Sequence, residues 1–423
     1  MSKAEDRDFS ACMPYQQKSE FQQAWVRLLK SPRFVEQVTR LFPKLEVGAF
    51  VDDRREMGSS EEFQQRVISR VVAELEEQTT DGLSVSGLEN LARDQKYLIL
   101  SNHRDIVCDP AWVCYLFFLN QMPTPKICLG DNLLSHSVTV DLVKMNKGIT
   151  VKRGLSPREL LRWSILLSES IEEQIRGKID SVWIAQQEGR AKDGDDRTHP
   201  GVLKMLAMAG GGSTLENLKQ RHLLPLAISY EFDPCDAMKA YELYVTHRDG
   251  SYKKVPGEDS QSMMTGIMGF KGRVHLGFGT DLYSAASAQR DGRTDCNDGQ
   301  TRKETLLYFC SKIDEQIHTQ YRLWPSNFIA LDLIEGSSHY SDEYTGVQKA
   351  FFVERMESQL QRLRATSPRP ELRSEGGLSA QDLVLVRNQL LSAYAMPVRN
   401  FLNAQQRNSK QSTGIVLNGL SAL

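Results

Sequence analysis

The chain has 423 residues, 25% of them charged and 40% hydrophobic, with a formal net charge of −2. That length suits one large α/β domain with helical additions rather than a single small core. The faint acidity argues against a nucleic-acid binder, which would be expected to be basic. Seven cysteines, an odd count with no Cys-x-x-Cys pair, fit a reduced compartment better than a disulfide framework or a zinc site. The first residues, MSKAEDRDFSACMPYQQ, lack the apolar core of a signal peptide, and the longest apolar stretch, Ala111 to Leu119, is half a membrane span. The expected location is cytoplasmic, with room for peripheral contact on the inner face of a membrane.

In chain order, residues 17–80 read as helical, with Phe63, Val67, Val71 and Leu75 at helical spacing. TTDGLSVSGLENLARDQ reads as a turn-rich approach to a strand at 97–101. Strands and helices then alternate. Strands are expected at 97–101, 126–129, 149–152, 181–186, 223–231 and 272–278. Helices are expected near 110–120, 137–145, 156–176, 201–209, 213–220 and 256–268. Alternation on this scale implies an α/β fold, a central mixed sheet flanked by helices. The helix at 156–176 carries its own start signal: Ser156 as N-cap, Pro157 at the first helical position and Glu159 closing a capping box. Leu160, Leu167, Ile171 and Ile175 give it one apolar face. Beyond about residue 300 the pattern is helical again, interrupted by a linker-like RATSPRPELRSEGG. The expected organisation is a helical N-terminal region (1–90), an α/β domain (91–300), a helical C-terminal region (301–402) and a flexible tail (403–423).

Four patches could carry chemistry. In the first, the apolar run Tyr97-Leu-Ile-Leu empties into Ser101-Asn-His-Arg-Asp. The end of a strand in an open α/β sheet is where ligands bind. His103 there could serve as a general base, provided that a carboxylate, Asp105 or Asp109, fixes its tautomer. A plainer role for Asp109 is a helix N-cap. In the second, Gly148 opens a β-branched strand that ends in Lys152 and Arg153 just ahead of a helix. Two cations there suit a phosphate, or are a solvated strand end. In the third, the strand Val182–Ala185 runs into Glu188-Gly189-Arg190-Ala-Lys192. Gly189 permits a tight turn, Glu188 could orient Arg190, and Arg190 with Lys192 could contact a phosphate or an acceptor hydroxyl. The alternative is a plain charged loop. The fourth is a strand holding Pro225 and ending in Tyr230-Glu231.

In this order the patches resemble the glycerolipid acyltransferases, and more narrowly the glycerol-3-phosphate and acylglycerol-3-phosphate acyltransferases, over roughly residues 90–285. Asn102-His103-Arg104 with a following Asp matches the family's first block, and Gly148 to Arg153 its second. Glu188-Gly189-Arg190 matches the third, and Pro225 with Tyr230-Glu231 the fourth. The strand Gly272, Val274, Leu276, Phe278, Gly279 echoes a later family strand. One departure stands out. The family's Asp belongs at position 108, which here is Cys108. Asp109 is the expected partner of His103, because it introduces the following helix as the family's Asp does. Asp105 as partner and a broken dyad are the alternatives.

The resemblance implies direct acyl transfer. His103, oriented by Asp109, would deprotonate an acceptor hydroxyl, and that oxygen would attack the thioester of acyl-CoA or an acyl-carrier protein. Lys152, Arg153, Arg190 and Lys192 would hold the phosphate of glycerol-3-phosphate or a lysophospholipid such as lysophosphatidate, with Glu188, Gly189 and Tyr230 completing the substrate site. It implies no metal and no cofactor beyond the acyl-carrying co-substrate. Two apolar stretches, 111–119 and 262–270, could house an acyl chain or touch lipid, or be core. A different class of function, a non-catalytic lipid or acyl-carrier binding protein, is motivated by Cys108. A phosphohydrolase fits less well, because the histidines lack ligand spacing.

Overall fold

Strands buried over their whole length form the centre of the molecule. The computed structural model describes residues 9–45, 57–134, 136–282, 299–367, 369, 372 and 378–420. Seven strands join in one sheet: β1 (Leu83–Ser86), β2 (Leu98–Ser101), β3 (Lys126–Gly130), β4 (Gly148–Val151), β5 (Val182–Ala185), β6 (Leu223–Tyr230) and β7 (Val274–Phe278). Their spatial order is β1-β7-β6-β2-β5-β3-β4. Every neighbouring pair is parallel except β6 and β7. This is the mixed sheet flanked by helices that the alternation of patterns implied.

β2 and β6 read as continuous apolar runs because both of their faces are covered. Successive side chains enter opposite cores. Ile99, Leu224, Leu226 and Ile228 pack with Trp112, Phe117 and the N-terminal Phe21, Trp25 and Phe63. Leu98, Leu100, Leu223 and Ala227 pack with Leu167, Ile171, Phe309 and Ile313. Each such Leu or Ile contributes about 1.5–3 kcal/mol by leaving water. A one-residue slip of β2 would exchange the two sets, so both cores fix its register.

The helix Pro157–Arg176 has the expected capping box between Ser156 and Glu159. Its buried face begins at Leu166 and Leu167, whereas Leu160, counted on that face from the sequence, is 52% exposed. The segment 111–119 is core, with Trp112, Val113, Leu116 and Phe117 all buried inside the helix Cys108–Leu119. In 262–270, Met264 and Phe270 are exposed.

Three elements lie outside the sequence reading. β1 falls in the stretch read as turns, so the sheet starts inside the expected 1–90 region. The helices Asp236–Asp249 and Pro325–Glu335 were not anticipated. The helix Gly299–Gln320 sends Phe309, Ile313 and Ile317 into the sheet's second core and so belongs to the α/β unit. A third core unites Asp236–Asp249 with Pro325–Glu335, Gly346–Thr366 and Ala380–Leu420, through Tyr241, Tyr244, Ile329, Phe352, Met356 and Leu390. The last helix runs on to Leu420, into the expected tail. Residues 46–56, Cys296 and most of the linker at 364–377 lie outside the described residues. Among the described residues, no helix is long and apolar enough to cross a membrane.

Candidate active site

The parallel strands β2 to β6 all end at one edge of the sheet, and the four sequence patches leave from that edge. The first residue past β2, Asn102, extends the ladder with its side chain. Its Oδ1 accepts the Ile228 N–H at 2.7 Å, and its Nδ2 donates to the Ile228 carbonyl at 3.0 Å. The next residue, His103, is therefore launched from a fixed backbone. Its carbonyl accepts the Ala191 N–H at 2.9 Å, which ties the loop after β2 to the loop after β5. The His103 ring packs edge-on against Trp183, with centroids 5.8 Å apart.

His103 Nδ1 lies 2.8 Å from Asp109 Oδ2. The same oxygen accepts the backbone N–H of Arg104 at 2.6 Å and of Asp105 at 3.0 Å. The Tyr230 hydroxyl donates to Asp109 Oδ1 at 2.7 Å. With every partner a donor, the fully buried Asp109 acts only as an acceptor, which is what a buried carboxylate requires. The imidazole proton then sits on Nδ1, and Nε2 carries the free lone pair. Nε2 has no hydrogen-bond partner among the described residues, and the His103 side chain is 14% exposed.

The extra residue between His103 and Asp109 is absorbed by Asp105. Its Oδ1 accepts the N–H groups of Val107 and Cys108, at 2.9 and 2.7 Å, and so caps the helix Cys108–Leu119. The capping role considered for Asp109 thus belongs to Asp105, and Asp109 is free, one position into the helix, to face His103. Burial, followed by the charge of Asp109, pushes the Asp105 carboxyl above its ordinary value. Cys108 turns the other way, with Sγ 3.5 Å from the Gly266 carbonyl. Burial and then the Asp105 charge hold its thiol well above the usual range, so it is not a nucleophile.

Tyr230 was expected at the substrate. The structure places it behind the dyad, buried, with its hydroxyl engaged by Asp109. Burial and then the Asp109 charge raise its phenol far above 10, so it remains a donor. Glu231 is also occupied: it accepts from Arg273 Nε and Nη2, each at 2.8 Å, and clamps β6 to β7.

Lys152 and Arg153 follow β4, the outermost strand, three strands from β2 and so about 14 Å across the sheet. Arg153 reaches back toward the centre. Gly130 makes this possible, since a Cβ there would sit 2.3 Å from Arg153 Nε. Its Nη1 meets Glu188 at 3.1 Å. Lys152 Nζ lies 6.0 Å from the centre of the Trp163 ring. Glu188 therefore does not orient Arg190, as the spacing had suggested. Its side chain is 77% exposed and points outward to Arg153. Gly189 has φ +79°, the left-handed turn that glycine permits. That turn carries Arg190 inward, where Nη1 is buried with no hydrogen-bond partner. Lys192 pairs with Glu242 at 2.7 Å.

The sequence reading missed two supports of the dyad. Trp183 is one. The other is Asp196, which accepts from Asn102 at 3.2 Å and from Arg104 at 2.6 Å. Neither carries a local signal, because each meets His103's loop only through the fold.

Residues 82–229, from the start of β1 to the end of β6, match the family model described as Acyltransferase. This stretch is similar to that family. It contains His103, Asp109, Arg153 and Arg190, while the C-terminal helices lie beyond it. Among solved structures, the chain is similar to a 1-acyl-sn-glycerophosphate (LPA) acyltransferase, PlsC, from Thermotoga maritima. The two are 15% identical, with a TM-score of 0.32, over 70% of this chain and 95% of that one. No curated protein matches the chain.

Proposed function

We propose that the acyltransferase domain moves an acyl group from acyl-CoA or an acyl-carrier protein to a hydroxyl of a phosphorylated glycerol acceptor, glycerol-3-phosphate or lysophosphatidate. The observation that carries this reading is the 2.8 Å contact between His103 Nδ1 and the buried Asp109, with Nε2 left free. Nε2 takes the acceptor's hydroxyl proton as the oxygen forms its bond to the thioester carbonyl carbon. The tetrahedral intermediate then breaks its C–S bond, and the leaving thiolate takes the proton back from the imidazolium. Asp109 stabilises that imidazolium and keeps its ring in place. Arg190, on the loop tied to the His103 carbonyl, holds the acceptor's phosphate, so binding energy from the non-reacting end positions the hydroxyl.

The non-catalytic alternative was motivated by Cys108, and the contact between His103 and Asp109 removes that motive. The test is ester formation from labelled glycerol-3-phosphate or lysophosphatidate with each thioester donor. His103→Ala is expected to lower turnover by about 10³-fold or more, with the melting temperature nearly unchanged. Equal product from His103→Ala and wild type would overturn the reading.

A further inference from the structure

A cavity of about 370 Å³ lies beside Arg190, walled by the helices Asp236–Asp249, Glu258–Met268 and Gly346–Thr366. The last of these is outside the stretch that matches the acyltransferase family. Four cations line the cavity, Arg190, Lys239, Lys254 and Arg362, against three carboxylates, Glu242, Glu258 and Asp259. Most of these charges are already matched. Lys239 pairs with Asp233, and Lys254 with Asp259 at 2.6 Å. Glu242 is taken by Lys192, and Glu258 by Arg369.

Two guanidinium groups are left, Arg190 and Arg362. Arg190 is not bare: the Cys235 side chain hydrogen-bonds it, and Asp105 and Asp233 act on it through space. Neither arginine forms an ion pair among the described residues, and the buried Nη1 of Arg190 has no hydrogen-bond partner. A phosphate monoester carries about −1.5 to −2 charges at pH 7 and three acceptor oxygens. It is the ligand whose charge and geometry answer two forked cations. The cavity adjoins the dyad loop through the backbone, although neither His103 nor Asp109 lines it: Ala191, next to Arg190, bonds the His103 carbonyl.

We infer that this cavity is the acceptor's phosphate site, and that Arg362, on a helix beyond the family domain, is its second guanidinium and a determinant of acceptor specificity. The inference rests on the acyl-transfer reading for its biological meaning but not for its test.

The test titrates the purified full chain with glycerol-3-phosphate, inorganic phosphate and glycerol by calorimetry. Wild type is expected to bind the two phosphates and not glycerol. Arg362→Ala should weaken both by roughly 10- to 100-fold, as for a lost charge-assisted contact. Arg362→Lys should recover part of the loss. Arg364→Ala, an exposed position on the same helix but off the cavity, should bind as wild type does. In turnover, Arg362→Ala should raise the acceptor KM by the same factor and leave kcat and the donor KM within about twofold, as for lost uniform binding. Phosphate affinity unchanged in Arg362→Ala, at an unchanged melting temperature, overturns the inference even if ester is still made. Arg362-dependent phosphate binding with no ester from any donor sustains it and sinks the acyl-transfer reading instead.

Discussion

The dyad loop and the cavity proposed to take a phosphate are adjacent but built differently. Around Asp109 nearly everything comes from a few residues of one loop: the N–H groups of Arg104 and Asp105, the ring of His103, and the Asp105 cap that sets the helix phase. Among the described residues that bond Asp109, Tyr230 alone arrives from elsewhere. The cavity draws Arg190, Lys239 with Lys254, and Arg362 from three separate parts of the chain. Local backbone geometry thus sets the proposed proton-transfer centre, with Trp183 and Asp196 supporting it from across the fold, whereas the proposed recognition site is assembled from elements that the tertiary fold brings in. Such an arrangement lets the acceptor site vary without disturbing the dyad.

Three substitutions can break or sharpen this contrast. The largest effect is expected at Gly194, where the loop after β5 meets the C-terminal helix. Its φ is +77°, and a Cβ would lie 2.1 Å from the Ala393 carbonyl oxygen. Gly194→Ala combines about 1–2 kcal/mol of left-handed strain with a backbone overlap. Urea unfolding should show a loss of at least about 2 kcal/mol, and the acceptor KM should rise more than kcat falls. A kcat loss alone would mean that the loop serves the dyad instead.

Tyr230→Phe comes next. It removes one buried hydrogen bond to Asp109 and leaves the other donors in place. A stability loss of about 1 kcal/mol is expected. In turnover kcat should fall by about three- to thirty-fold with KM unchanged, and the pH profile of kcat should shift. If Tyr230 contacted the acceptor directly, KM would move.

The smallest effect is expected at Asp105→Asn, which keeps the capping oxygen and removes the charge. The folded pKa of Asp105 is raised above its unfolded value by burial and by Asp109. Its contribution to stability is therefore complete below about pH 4 and declines as pH rises through the folded value. Asparagine does not titrate, so melting temperatures should move in favour of the variant as pH increases from 4 to 8. A difference independent of pH would contradict this assignment.

How much of this was legible in the sequence follows the same division. β2, β4 and β6 stand out as apolar runs, and the capping box at Ser156 fixed one helix start to the residue. His103 and Asp109 were legible as a pair because their link runs through six residues of chain. β1 was hidden, since it is only four residues long, half-exposed and set among turn formers. The helix Asp236–Asp249 buries Ala237, Lys239, Ala240, Tyr241, Tyr244 and Val245, a wide arc with a lysine in it, so no clean apolar stripe marks it. Glu188 and Arg190 looked like partners by proximity, but the left-handed turn at Gly189 sends them to opposite sides. Arg362 had no signal at all among the charges of its helix; it and Arg190 stand out only because the other charges lining the cavity are paired.

Asp109, displaced by one position from the family's spacing, is proposed as the carboxylate that serves His103. The most direct measurement compares kcat for acyl transfer to glycerol-3-phosphate in wild type, Asp109→Asn and Asp105→Asn, each checked for folding by its melting curve. The account predicts a loss on the order of 10³- to 10⁴-fold for Asp109→Asn, because an amide cannot stabilise the imidazolium and favours the wrong tautomer. It predicts a change within about threefold for Asp105→Asn. The reverse order, with Asp109→Asn near wild type and Asp105→Asn inactive, would contradict it.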